Sequence, residues 1–182
     1  MEKYDIQYRP NYDPASVQHM RDDLTAVGFK ELVTLEEVDQ ELLGHPDEAV
    51  LLVVNSVCGC AAGSARPGVA LSLQHQTIPE HLVSVFAGMD KKAVEYVRQK
   101  FLTDLIPSSP SFALLRNGEL EFIMERKDIV NKSPEEISEI LTALFDEKCK
   151  RKGPSIDPEV YNKLDNVVMC STNLPRYQED NQ

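Results

Sequence analysis

Residues 51–69 read LLVVNSVCGCAAGSARPGV, Leu51 to Val69. An apolar run, Ala49 to Val54, ends in Asn55-Ser56-Val57. Cys58 and Cys60 follow with Gly59 between them, and a small-residue segment leads to Arg66 and Pro67. Apolar on successive residues, the run predicts a strand buried on both faces. The CxC pair falls in the turn after it, and a helix is predicted from about Cys60 to Gln74. Pro67 lies inside that helix and should kink or restart it.

Outward from this stretch the chain alternates strand and helix. Asp13 is placed as N-cap with Pro14 at the first helical position, and Val17, Met20, Leu24 and Val27 recur on one face. Gly28 sits where a C-terminal glycine would. Thr34 and Glu37 form a capping box for a second helix running to about Leu43. His81 to Ala87 predicts a second strand, and Asp90 is placed as cap of a helix through Phe101. Phe112 to Arg116 and Glu119 to Met124 predict a hairpin about Asn117-Gly118, a type I′ signal. Ser133, Pro134 and Glu136 open the last strong helix, with Ile137, Ile140, Leu141, Leu144 and Phe145 on its apolar face.

The order βαβα, hairpin, helix is that of an α/β thioredoxin-like sheet: two parallel strands joined by a right-handed crossover, then an antiparallel pair. The expected organisation is an irregular N-terminus over residues 1–13, a thioredoxin-like domain over 14–149 forming a three-layer sandwich with an N-terminal helical extension, and a tail over 150–182. The tail carries five basic and five acidic residues, so the formal charge of −11 lies in residues 1–149. Only Val167, Val168 and Met169 offer it much to bury, and it is expected to be loosely packed or extended.

The −11 charge, from 19 basic and 30 acidic residues, argues against nucleic acid and anionic membrane surfaces as partners. The polar start MEKYDIQYRP has no apolar core for a signal peptide, and no run is long enough to span a bilayer. A cytoplasmic setting is expected. There the four cysteines, 58, 60, 149 and 170, point to catalysis or metal rather than to structural bridges.

Thiol exchange needs a thiolate. At a helix start, unpaired backbone N–H groups and the positive dipole end lower a thiol pKa, and Cys58 is the residue so placed. The residues after it are small and leave room for a bulky disulfide substrate. Cys60 lies one step further into the helix and should be less exposed. A ring closed across one intervening residue is smaller than that of a CxxC pair. Gly59 is read as what permits the turn. Such a disulfide is expected to be strained and easily reduced, which favours exchange, isomerisation or capture of a small thiol over general reduction. Ser109-Pro110 taken alone reads as an ordinary trans proline in a loop; in a thioredoxin-like sheet the proline opening the third strand sits cis beside the redox cysteine, and that context makes cis the expectation. That would leave the Ser109 backbone free to pair with substrate.

Two rivals stand beside this reading. A CxC pair can hold Cu(I) or Zn(II), with Cys149 as a third ligand if the last helix ends near the site. Cys149 is otherwise a buried small hydrophobe or an alternate resolving thiol. A non-catalytic partner-binding domain is the other. The histidines, at 19, 45, 75 and 81, are scattered singly and are read as surface residues, with no metal site among them. Arg66 is read as covering exposed helix surface rather than meeting substrate charge. Arg126 and Lys127 could receive an anionic thiol, and solvation explains them equally well.

NSVCGCAAGSARP, VFAGMDKKAVEYVR, PSSPSFALL and the helix ending LFDEKC together resemble the bacilliredoxin family over roughly residues 14–149. The resemblance implies a thioredoxin-like fold and a cytoplasmic thiol–disulfide oxidoreductase that removes bacillithiol, or a similar small thiol, from protein mixed disulfides. Protein disulfide isomerase activity is also ascribed to the family. It implies no bound cofactor. S-thiolated client proteins, the small thiol and a reducing system are its implied partners. Cys58 is then the attacking thiol that takes the small thiol onto itself, and Cys60 the candidate resolving partner. Cys149 is a candidate accessory thiol, and Gly59, Ser109 and Pro110 are candidate substrate-binding residues. The chain after Cys149 departs from the family pattern.

Overall fold

The computed structural model describes residues 8–164 and 174–178. In chain order the elements are α1 (Pro14–Thr25), β1 (Lys30–Glu31), α2 (Leu35–Leu43), β2 (Ala49–Asn55), a π-helical turn (Ala61–Ala65) running into α3 (Arg66–Ser72), β3 (Thr77–Ile78), β4 (His81–Phe86), α4 (Lys91–Lys100), β5 (Ser111–Arg116), β6 (Glu119–Met124), α5 (Arg126–Ile129), α6 (Pro134–Lys148), β7 (Arg151–Lys152) and α7 (Pro158–Tyr161).

All seven residues of β2 are buried, because the strand is central and both its faces are covered. The main sheet has five strands in the order β1-β4-β2-β5-β6. β4 runs parallel to β2, with Val54 beside Val85, and β5 runs antiparallel, with Val54 beside Ser111. Alternation along β2 sends Ala49, Leu51 and Val53 into one core with Leu24, Val69, Ile137, Leu141 and Phe145. Val50, Leu52 and Val54 enter the other with Val38, Leu42, Ala93, Val94 and Val97. Helices α1, α3 and α6 therefore cover one face and α2 and α4 the other, the expected three-layer thioredoxin-like sandwich.

The local signals form as the sequence dictates. Asp13 Oδ2 accepts from Ser16 N at 2.9 Å. Thr34 with Glu37, and Ser133 with Glu136, close reciprocal capping boxes. Asn117 and Gly118 hold φ of 52° and 75°, the two left-handed positions that a type I′ turn requires. Asp90 departs from expectation. It stands at the N-cap of α4, but its side chain caps nothing there. Its carboxylate instead takes a bidentate pair from Arg21, at 2.7 and 2.9 Å, and the N–H of Phe86. Arg21 also reaches Glu31 at 2.5 Å, so it ties α1 to β1 and to the end of β4.

Five elements were not anticipated: β1, β3, α5, β7 and α7. β1 is two residues long and lies beside Val83 and Ser84 at the sheet edge. β3 pairs antiparallel with β7, and this pairing corrects the expected loose tail. Gly153 N donates to Gln76 O and Ser155 N to Leu73 O, while Ile156, Tyr161 and Leu164 pack on the α3/α6 core. Residues 150–164 thus dock on the domain. Further on, Asp13 N donates to Pro175 O, Tyr12 bridges Arg176, and Leu174 packs near Val17, Met20 and Val57. Val167, Val168, Met169 and Cys170 lie outside the described residues. No described helix is long and apolar enough to cross a membrane.

Candidate active site

The site is built where β2 gives way to the helix on its C-terminal side. Asn55 ends β2, and its side-chain amide donates to Met20 O at 2.9 Å. Its carbonyl oxygen Oδ1 accepts the Ser56 N–H at 2.8 Å, which turns the chain out of the sheet. Ser56 Oγ then accepts the Cys58 N–H at 3.3 Å. The Cys58 carbonyl accepts from the N–H groups of both Ala61 and Ala62, at 3.0 and 3.2 Å, so helical turns begin directly after it. Cys58 thus stands at the helix start, as its position in the sequence requires. The π turn over Ala61–Ala65 precedes Pro67, which sits in the first turn of α3 and has no N–H to donate back. This is the restart the proline predicts.

Cys58 and Cys60 are both half-buried free thiols, and their sulfurs face each other at 2.6 Å. Burial alone would push the Cys58 thiol up. The opposing contributions win: the Cys60 thiol and the Ser56 hydroxyl hydrogen-bond toward its sulfur, the Ala61 N–H faces it, and the Arg126 guanidinium adds positive charge. The Cys58 thiol is held below the ordinary range. Cys60 goes the other way. Burial, and the hydrogen bond and negative charge of Cys58, push it up to about 11. One thiol is therefore biased toward its thiolate while its neighbour keeps its proton.

Gly59 is exposed between them, and a Cβ built on it meets nothing within 4 Å. Its φ is not left-handed. The turn itself does not need a glycine, and the small residue leaves open space over the pair.

The Ser109–Pro110 bond is cis. The pairing of Val54 with Ser111 puts Pro110 at the same end of the sheet as Cys58. Pro110 is buried and Ser109 half-buried. Ser108, just before them, accepts the Arg126 N–H on Oγ at 2.9 Å. This bond draws the start of α5 toward the cysteines and explains how the exposed Arg126 comes to bear on both thiols.

Arg66 corrects the reading of it as exposed surface. Its side chain is 2% exposed. Nε donates to Asp23 Oδ2 at 2.8 Å, and Nη1 to Asn55 Oδ1 at 3.2 Å and to the Ser56 carbonyl at 3.0 Å. Arg66 is thus a brace beneath the loop that carries Cys58. Asp23, Asn55, Ser56 and Arg66 form a supporting network that sequence reasoning missed. The polar residues at 55 and 56, ending an otherwise apolar run, were the available signal.

Cys149 is not brought to the site. It is buried at the end of α6, and burial first, then the negative charge of Glu80, push it up to about 12. Its surroundings belong to the start of β2: Glu80 accepts from Ala49 N, and Arg116 pairs with Ala49. Cys58 follows the other end of that strand, about 20 Å away at the usual rise per residue. Cys149 can be neither a direct resolving thiol for Cys58 nor a third ligand on an ion held by the CxC pair. The histidines are not all scattered either, since His45 and His81 stack with ring centroids 3.5 Å apart.

A family profile described as disulphide isomerase matches residues 12–149. A bacilliredoxin of Salinibacter ruber is 43% identical over 146 residues, covering 80% of this chain and 85% of that protein. Bacilliredoxins of Shouchella clausii and Geobacillus kaustophilus are 47% identical over 132 residues and 46% over 134, covering 72% and 73% of this chain and 90% and 91% of those proteins. A solved chain described as a thioredoxin-fold oxidoreductase superposes with a TM-score of 0.44 at 14% identity, over 58% of this chain and 88% of that one. With a thiolate-biased and a proton-holding thiol at the head of a thioredoxin-like sheet, and a profile and relatives that cover nearly all of that sheet, the chain belongs to the bacilliredoxin family of redox oxidoreductases.

Proposed function

We propose that this protein is a thiol–disulfide oxidoreductase that removes bacillithiol, or a similar small thiol, from mixed disulfides on client proteins. The observation that carries the reading is the inequality of two facing thiols: Cys58 held below the ordinary range, and Cys60, 2.6 Å away, pushed up to about 11.

In the first step the Cys58 thiolate attacks the small-thiol sulfur of the mixed disulfide. A Cys58–small-thiol disulfide forms and the client–small-thiol bond breaks. The client leaves as a thiolate that takes a proton from water. Attack on the other sulfur would leave the client on Cys58, so the small thiol must present its own sulfur. The supports for this step are the open space over Gly59 and the exposed positive charge of Arg126. The −11 formal charge of the chain disfavours anionic small thiols at long range, and Arg126 offsets that locally.

Capping Cys58 removes its negative charge. That charge and its hydrogen bond are two of the causes that hold the Cys60 proton, so the Cys60 pKa falls once Cys58 carries the cap. Cys60 thiolate then attacks Cys58 Sγ. A Cys58–Cys60 disulfide forms and the small thiol leaves as its thiolate. The resting dithiol is restored by a two-electron thiol reductant. Reversal of such exchanges on misbridged clients is the isomerase form of the same chemistry. Ser109, at the same end of the sheet as Cys58, is the residue proposed to pair with an extended client.

The test is release of client thiol from an S-thiolated protein under excess external thiol. Cys58→Ser should lose at least about a hundredfold in rate, whereas Cys60→Ser should retain the first turnover. Unchanged release by Cys58→Ser would overturn the reading.

A further inference from the structure

The end of the sheet remote from Cys58 gathers four side chains with metal-ligating atoms. Glu41 comes from the last turn of α2, and His45 and Glu48 from the loop leading to β2. His81 opens β4, beside Val50 in the parallel register. Glu41 Oε2 lies 3.3 Å from His45 Nε2. Glu48 Oε2 lies 2.5 Å from His81 Nε2 and 3.9 Å from His45 Nδ1. The ligand atoms of Glu41, His45 and His81 all fall within 4.8 Å of one another. The second oxygen of Glu41 is taken by Lys30 Nζ at 2.7 Å.

Neutral imidazole has one N–H and one lone pair. If each Nε2 donates to its carboxylate, the His45 Nδ1 lone pair faces a Glu48 oxygen, acceptor against acceptor. A cation removes that conflict and uses both rings and both carboxylates as donors. We propose that Glu41, His45 and His81, with Glu48 as fourth ligand, bind a zinc-class divalent cation.

Zinc takes nitrogen and oxygen ligands at about 2.0–2.2 Å in a tetrahedron, which sets ligand atoms roughly 3.3–3.5 Å apart. The Glu41–His45 pair already stands at that separation. The rings are stacked with planes inclined by 17°, so binding requires them to turn until their lone pairs converge. Both are partly exposed, at 29% and 25%, and have room to do so. Two imidazoles exclude a magnesium- or calcium-type site, and the absence of sulfur among these four donors disfavours Cu(I). The ion would join the end of α2 to the starts of β2 and β4, and it is independent of the thiol site.

The experiment is calorimetric titration of ZnCl2 into the 182-residue chain with Cys58, Cys60 and Cys170 replaced by serine, so that these thiols do not compete. The expected result is one equivalent bound and a rise of the unfolding midpoint with excess zinc. His45→Ala and His81→Ala should each weaken binding at least tenfold. Glu41→Gln, which keeps the side-chain volume, should weaken it too, and metal-free melting shows that each variant folds. Co(II) in place of zinc should give a visible d–d band with no thiolate charge-transfer band. Affinity unchanged in both histidine variants, or no saturable binding in the triple-serine chain, would overturn the proposal.

Discussion

Arg66 Nη1 donates to the carbonyl oxygen of Ser56 at 3.0 Å, two residues before Cys58. The same guanidinium is paired with Asp23 on α1. The brace joins α1, the end of β2 and the first turn of α3 beneath one loop. Arg66→Met keeps the stem but removes the guanidinium donor from Asp23 and the Ser56 carbonyl, and leaves Asn55 Oδ1 only the Ser56 N–H. Removing one partner of a buried pair costs about 3–5 kcal/mol, and the partial exposure of Asp23 puts this case at the lower end. A fall of several degrees in the unfolding midpoint is expected, with a loss of Cys58 reactivity. Arg66→Lys should recover little of either, because a point charge cannot make three bonds in one plane.

Arg126 favours the thiolate of both cysteines, so removing it must raise both pKa values. In Arg126→Gln the thiolate fraction of Cys58 at neutral pH falls, and alkylation by iodoacetamide slows roughly threefold. Added salt should slow the wild type and leave the variant nearly unchanged. A pH profile of alkylation in the wild type should show Cys58 reacting below the ordinary thiol range, with Cys60 titrating near pH 11.

Cys149 carries a linkage of opposite sign. Its folded pKa is raised to about 12, so the folded state keeps a proton that the unfolded chain loses first. Its contribution is full below the unfolded pKa and is lost as pH rises toward 12. Between about pH 9.5 and 11.5, Cys149→Ala should flatten the fall of stability with pH by about 1.4 kcal/mol per pH unit. Urea melts across that window would read the slope separately from the cavity cost of the substitution.

Two glycines near the site should respond oppositely. A Cβ on Gly68 would meet Ile137 side-chain carbons at 2.8 Å and Pro134 O at 3.1 Å, where α3 packs on α6. Gly68→Ala should destabilise by about 1–3 kcal/mol. A Cβ on Gly59 meets nothing, so Gly59→Ala should melt at or slightly above the wild type. Its effect should appear only with bulky substrates.

What was legible in the sequence was local or periodic. β2 announced itself as an uninterrupted apolar run, and the capping boxes at Thr34 and Ser133 needed only three residues each. Asn117-Gly118 fixed its own turn type. Cys58 was placed by the strand before it and the small residues after it. Interactions closed by the fold were not legible. Arg66 is buried because Asp23 and Asn55 come to it from 43 and 11 residues away, and no local pattern separates it from a solvated arginine. His45 meets His81 only because β4 lies beside β2. Residues 150–164 lack a strong apolar pattern, yet they supply the partner strand of β3 and pack the partly buried Ile156 and Tyr161 against the core. Cys149 had the right residue type and lies at the wrong end of the sheet.

The central claim is that Cys58 receives the small thiol and Cys60 releases it. Intact-mass measurement of Cys60→Ser after one turnover with an S-thiolated client tests this most directly. One small-thiol adduct should appear, peptide mapping should place it on Cys58, and the client should be reduced in equal amount. An adduct of the client itself on Cys58, or none on Cys58 while the client is still reduced, would contradict the account.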